Sequence, residues 1–311
     1  MPGTKRLWAA ALLMLGLLVS GRASAEVKVV ATIQDLGWIA AQVGGPDVEV
    51  EVLCAGHRDP HVLPAKPSLA RRMKKADLLV YSGLELEVGW LPLLLDAARN
   101  PRIRPGQLGE LDCSQALGHD GILDIPAGQV DRSQGDIHPL GNPHFLLDPR
   151  NGAKVGLLIA ERLARIDPDR ADGYRARAAT LSERLTDLEQ EWRDAVGSLP
   201  TRKVIVYHQQ WEYLAAWLDL EIIGVIENRP GISPAPRHVE GLIELGRSES
   251  PVLVMAATWD HRDGAGMVAE KVGTPLIVLP ASSGAVDEAS DYPALFAFIC
   301  SELKAAAGVD P

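Results

Sequence analysis

The sequence predicts an α/β protein of two lobes, each a parallel sheet flanked by helices, joined by one long linking helix. Three observations carry this. Short β-branched runs alternate with amphipathic stretches in the first half, the alternation resumes in the last third, and a single helical stripe lies between them.

Residues 1–25 come first. Lys5 and Arg6 precede an apolar run from Leu7 to Val19, and Ala23-Ser24-Ala25 closes the segment, which reads as a cleaved secretory signal. The run is shorter than the roughly 20 residues that span a bilayer. No cysteine stands at the cleavage point, so no lipid anchor is expected, and the mature chain should be a soluble periplasmic protein starting near Glu26.

VKVVATI (27–33), VEVEVLC (48–54) and DLLVYSG (77–83) read as buried strands, with helices opening near Asp35 and Pro67. ELEVGWLPLLLDAARN (85–100) reads as a further helix, followed by a Pro/Gly-rich stretch to about Asn142. Asp148 can cap a helix whose first position is Pro149. From Asp167 to Ser198, Tyr174, Ala178, Leu181, Leu185, Leu188 and Trp192 recur at steps of three and four, the pattern of one long amphipathic helix. Beyond Pro200, strands are expected at 203–208, 221–227, 251–258 and 275–281, with a last helix from about Asp291. The resulting division is a signal peptide (1–25), an N-terminal lobe (26–166), the linking helix (167–198) and a C-terminal lobe (199–311).

The formal charge of −10 becomes −13 once Lys5, Arg6 and Arg22 are removed with the signal. Such a body disfavours nucleic acid or anionic lipid as a partner and tolerates cations. The three cysteines, Cys54, Cys113 and Cys300, permit one disulfide in an oxidising compartment. They show no CxxC spacing, so neither a thiolate metal site nor a redox motif is expected.

Of the eight histidines, those beyond the carboxyl ends of strands matter, because open α/β sheets bind ligands there. His57 and His61 follow the second strand, but Pro60 and Pro64 argue against a helical metal pair, and Pro60 fixes the approach to His61. His208 ends KVIVYH and opens the next helical stretch. His144 lies in the Pro-constrained loop before Asp148, with His138 as its competitor. His61, His144 and His208 thus stand at the mouth of each lobe and in the loop between, as a metal held across a crevice would require. Three neutral imidazoles plus a carboxylate or water form a set that zinc accepts. Glu227 and His238 are read as a capped loop and a solvated helix face, and Asp260 to Asp263 as a solvated charged turn.

DPH at 59–61, NPHFLLDP at 142–149, YHQQWEYL at 207–214 and the linking helix resemble the zinc and manganese solute-binding proteins of ABC importers, the cluster A-I or ZnuA/TroA-like family. GLELEVGWLP, GDIHPLGNPH and ENRPGISPAPRH share the resemblance, which runs from about residue 27 to 300. It implies the TroA-like helical-backbone fold, no enzymatic activity, and metal ligands at His61, His144 and His208. It implies Zn2+ as transported ligand, Mn2+ being disfavoured because manganese-selective members tend to carry glutamate where His208 stands, and imidazole suits borderline metals. The partner implied is an ABC permease at the inner membrane, with a periplasmic metallochaperone left open and the receptor itself a monomer. The chain departs from the family in two places. Residues 112–137 hold only His119 where many zinc members have a His-rich loop, and LPASSGAVDEASDY has serine where the family's fourth ligand is often aspartate. Asp287 is the candidate for that fourth ligand. The rival readings are a secreted zinc hydrolase or lyase, for which no HExxH or similar motif is present, and a receptor for a metal chelate, which would not need three convergent histidines.

Overall fold

A computed structural model describes residues 26–123, 138–197, 199–228 and 231–308. The expected signal segment lies outside them.

Strands β1 (Val27–Ile33), β2 (Val48–Cys54), β3 (Leu78–Tyr81) and β4 (Glu110–Asp112) form one sheet in the order β2-β1-β3-β4, every pairing parallel. In β1, Val29, Val30 and Ala31 are all buried, so both faces of this strand are covered. That explains why the run lacks alternation. Strands β5 (Lys203–Val206), β6 (Glu221–Val225), β7 (Leu253–Ala257) and β8 (Leu276–Leu279) repeat the arrangement as β6-β5-β7-β8, again all parallel. In each sheet the connections diverge between the first and third strands, which opens a crevice at their carboxyl ends.

Helices α1 (Gln34–Gly44), α2 (Pro67–Met73), α3 (Leu91–Ala98) and α4 (Pro149–Ile166) accompany the first sheet. Asp148 caps α4 by accepting from Arg150 N, with Pro149 in the first turn. The helix expected over 85–100 is confined to α3. Gly83, Leu84 and Glu85 all have positive φ, and Pro92 sits in the first turn of α3, so the chain turns before it coils. The three-residue β4 carries too short a pattern to be read from sequence.

The linking helix is α5 (Ala171–Val196), 26 residues or about 39 Å long, preceded by a 3-10 turn at Pro168–Arg170. Tyr174, Ala178, Leu181, Leu185 and Trp192 of the expected stripe are buried, and Leu188 is partly buried against the same core. At its start Arg177 donates to the carbonyls of Val43 and Gly44 and to Asp47 of the N-terminal lobe. Near its end Trp192 packs against Phe296 and Trp217, of helices α9 (Tyr292–Ala306) and α6 (Glu212–Leu218), with ring centres at 5.2 and 6.2 Å. Helices α7 (Pro236–Glu249) and α8 (Arg262–Val272) flank the second sheet. One apolar core runs from Val29 and Ile39 through Leu181 to Val204, Met255 and Phe296, so the lobes share their interior.

Polar contacts also cross between the lobes. Asp35, at the start of α1, accepts from Ser282 Oγ at 2.7 Å and Ser283 N at 2.8 Å, all three residues being buried. Gly56 lies so close to this segment that a Cβ there would meet Ser283 O at 1.9 Å. The three cysteines are free and buried.

Candidate metal centre

Three segments carry imidazoles to one place. After β2, Asp59 opens the 3-10 turn Pro60–Val62 and its Oδ1 accepts from His61 N at 2.9 Å and pairs with His61 Nδ1 at 2.7 Å. Trp90 Nε1 donates to the Pro60 carbonyl at 2.7 Å, which pins the same turn from α3's side. The His61 ring is therefore fixed with Nε2 facing away from Asp59.

Asn142 Oδ1 accepts from His144 N at 2.9 Å, while Asn142 Nδ2 donates to Glu212 Oε2 at 3.0 Å in the other lobe. The 3-10 turn Phe145–Leu147 follows, its side chains buried, its Phe145 carbonyl bonded to Asn151 and its Leu146 carbonyl to Tyr292. This loop is held at both ends. His208 follows β5, and its Nδ1 lies 2.8 Å from Oε2 of Glu227, which follows β6. Both histidines beside a carboxylate use Nδ1 for it, leaving Nε2 for the crevice.

One ligand atom each from His61, His144 and His208 lies within 4.8 Å of the others. Ring centres are 5.1 Å apart for His61 and His144, 5.8 Å for His61 and His208, and 6.1 Å for His144 and His208. His144 Nε2 is buried without a hydrogen-bond partner. A bare imidazole nitrogen in such a place costs about 1–3 kcal/mol unless a cation or proton meets it. The donors therefore fit a cation such as zinc, which takes neutral imidazole nitrogen in tetrahedral sets.

The electrostatics favour capture. Burial, together with the other histidines around it, holds the His144 imidazole well below its ordinary value and hence neutral. Burial opposes charge on His208 as well, but the hydrogen bond and charge of Glu227, with Asp260 and Asp59 behind, hold that imidazole above its ordinary value. Burial pushes the Asp260 carboxyl up to about 6. Burial works against charge on Asp59 too, yet its hydrogen bonds and charge contact with His61 hold it below the usual carboxylate range.

The remaining sequence candidates fall elsewhere. His57 is exposed, the side chain of His119 is fully exposed, His238 Nε2 bonds the Val225 carbonyl at 2.9 Å, and His261 precedes α8. Asp287 is not brought to the site. It is exposed at the start of a 3-10 turn, beyond Ser282 and Ser283, which are bonded to Asp35. His138, read as a rim competitor of His144, is instead 8% exposed, with Nε2 3.1 Å from His61 Nε2. Glu227, read as part of a capped loop, orients His208. Its position just past a strand end was the signal available for it. Asp260 is half-buried rather than solvated and accepts from Ala257 N at 2.7 Å.

A family model described as the zinc-uptake complex component A, periplasmic, ZnuA, matches residues 29–306. The chain belongs to this family. Members of the ZnuA family are substrate-binding components of ABC transporters, so the protein is a receptor and not an enzyme. The high-affinity zinc uptake system protein ZnuA of Paracoccus denitrificans is 31% identical over 232 residues, covering 64% of this chain and 66% of that protein. The manganese ABC transporter substrate-binding lipoprotein PsaA of Streptococcus pneumoniae is 25% identical over 263 residues, covering 80% of each chain. A crystal structure of ZnuA superposes with a TM-score of 0.74 at 24% identity, covering 91% of this chain and 99% of that one. The two sheets and the linking helix thus form the fold of that receptor, the TroA-like fold.

Proposed function

We propose that the protein captures Zn2+ in the periplasm through His61, His144 and His208 and delivers it to the permease of an ABC importer at the inner membrane. The observation that carries this reading is the convergence of three ligand atoms within 4.8 Å, one from each lobe and one from the loop between. Nitrogen donors at all three positions favour zinc over manganese, which prefers oxygen. The signal-like segment 1–25 supports export, and the lack of a cysteine at its end favours a free receptor over a tethered one. The division into a lobe at 26–166, a linking helix at 167–198 and a lobe at 199–311 belongs to the same reading.

The manganese receptor of Streptococcus pneumoniae among the relatives motivates a second reading, in which the cargo is Mn2+. Titration of the metal-stripped chain with zinc and with manganese, against a chromogenic chelator, separates the two. One tight zinc equivalent and weak manganese binding is the expected result. Tight manganese binding with weak zinc would reverse the assignment, and no saturable binding of either would overturn the function.

A further inference from the structure

The ring of His138 is 5.1 Å from that of His61 and 6.1 Å from that of His144, within the same spread as the three ligands already described. Imidazoles radiating tetrahedrally from zinc at about 2.05 Å place neighbouring donor nitrogens about 3.3 Å apart and ring centres roughly 5 Å apart. The Nε2 atoms of His61 and His138 stand at 3.1 Å. With Asp59 Oδ1 at 2.7 Å from His61 Nδ1, the Nε2 atoms of His61 and His138 face one another on the other side of the ring. Two ring nitrogens so placed can both turn onto one cation.

We propose that His138 is a fourth metal ligand, completing an all-imidazole site that prefers zinc to manganese. This deepens the capture reading and rests on it. The described carboxylates around the site are engaged elsewhere or exposed, Asp260 accepting from Ala257 N and Gln210 Nε2. Asp287 is exposed, Asp35 is engaged by Ser282 and Ser283, and Asp59 and Glu227 each hold a histidine Nδ1. His138 is carried on a short turn closed by the Gly141 N to His138 O hydrogen bond at 3.1 Å, and Asn142 then anchors the chain across the lobes. The same loop therefore delivers two ligands, His138 and His144, six residues apart. A fourth nitrogen in place of oxygen removes the hard donor that manganese would use.

The test measures zinc and manganese affinity of the metal-stripped protein, H138A and H138D, with H144A as a reference loss. X-ray absorption of the zinc-loaded wild type counts its imidazoles without any variant. We expect four imidazoles, a 10- to 100-fold weaker zinc affinity in H138A, and a narrower zinc-to-manganese ratio in H138D. Three imidazoles in the wild type, or zinc affinity in H138A within threefold of wild type, would overturn the role of His138 while leaving capture intact. A wild type that binds no zinc would overturn both. Should H138A melt at a lower temperature without metal, the imidazole count decides.

Discussion

Glu227 Oε2 lies 2.8 Å from His208 Nδ1, a carboxylate holding a candidate ligand from behind. Such partners fix the tautomer and strengthen the ligand, and their loss typically costs 10- to 100-fold in metal affinity. Glu227→Ala should weaken zinc binding by that order, and Glu227→Gln by less, in calorimetric titration. Loss of His208 itself, in His208→Ala, should cost at least tenfold. An unchanged affinity in either alanine variant would remove the pair from the site.

The same contact sets a pH dependence. Protons compete with zinc for the imidazole lone pair, and a group held above its ordinary value of 6.5 is protonated first as pH falls. Zinc affinity in the wild type should therefore begin to drop already above pH 6.5. In Glu227→Ala, burial remains without the carboxylate, so the onset should move to lower pH even though affinity at neutral pH is weaker. His144, held well below 6.5 by burial, meets proton competition later in the same descent. Titrations at half-unit steps from pH 8 to 5 test the crossing.

Glu87 lies at the carboxyl ends of β1 and β3, where it accepts from Thr32 Oγ1, Ser82 N and Gly83 N. Burial pushes its carboxyl from 4.5 up to about 7. The folded protein thus binds this proton more tightly than the unfolded chain, and the Glu87 contribution to stability declines as pH rises from 4.5 through about 7. The decline should amount to about 3–4 kcal/mol. Chemical denaturation of the metal-free protein should show Glu87→Gln flattening this slope; an identical pH profile in the variant would contradict it.

Removing Asp35 strips two buried hydrogen bonds between the lobes and leaves Ser283 N unpaired. Asp35→Ala should destabilise the protein by about 2–3 kcal/mol, whereas Asp35→Asn, which can accept from one serine and donate to the other, should cost less. Thermal melts of the metal-free forms distinguish them.

At Gly56 an added Cβ would collide with the Ser283 carbonyl, a backbone atom of the other lobe. Gly56→Ala should cost about 1–3 kcal/mol by overpacking and also weaken zinc, because the displaced strand end leads into His61. Wild-type affinity in this variant would show that the His61 turn is insulated from the lobe contact.

Much of this was legible in the chain. VKVVATI and VEVEVLC coincide with β1 and β2, since buried parallel strands are continuous β-branched runs, and Asp148-Pro149 marks the start of α4 because cap and first-turn chemistry are local. The stripe from Tyr174 to Trp192 was readable because a periodicity repeated over many turns is hard to mistake. Histidines at strand ends pointed to a crevice, and His61, His144 and His208 do converge there. What stayed hidden depends on contacts distant in sequence. Asp35 meets Ser282 across 247 positions, and Asp287 stands exposed just beyond that tie. The depth of His138 and the grip of Glu227 on His208 are likewise set by neighbours brought together only in the fold. Local backbone defeated the helix expected at 85–90, where consecutive positive φ values at 83–85 have no sequence signature beyond Gly83.

An apolar interior that passes unbroken from one sheet to the other, spanned by a 26-residue helix gripped at both ends, leaves no soft joint. Prying the lobes apart would separate the ring pairs Trp38–Tyr292 and Phe145–Tyr213, which pack across them, each ring worth a few kcal/mol and so several times thermal energy. Spontaneous yawning is thus too rare to govern how long a cation stays. The residence of a bound cation should instead follow the loops that carry the histidines.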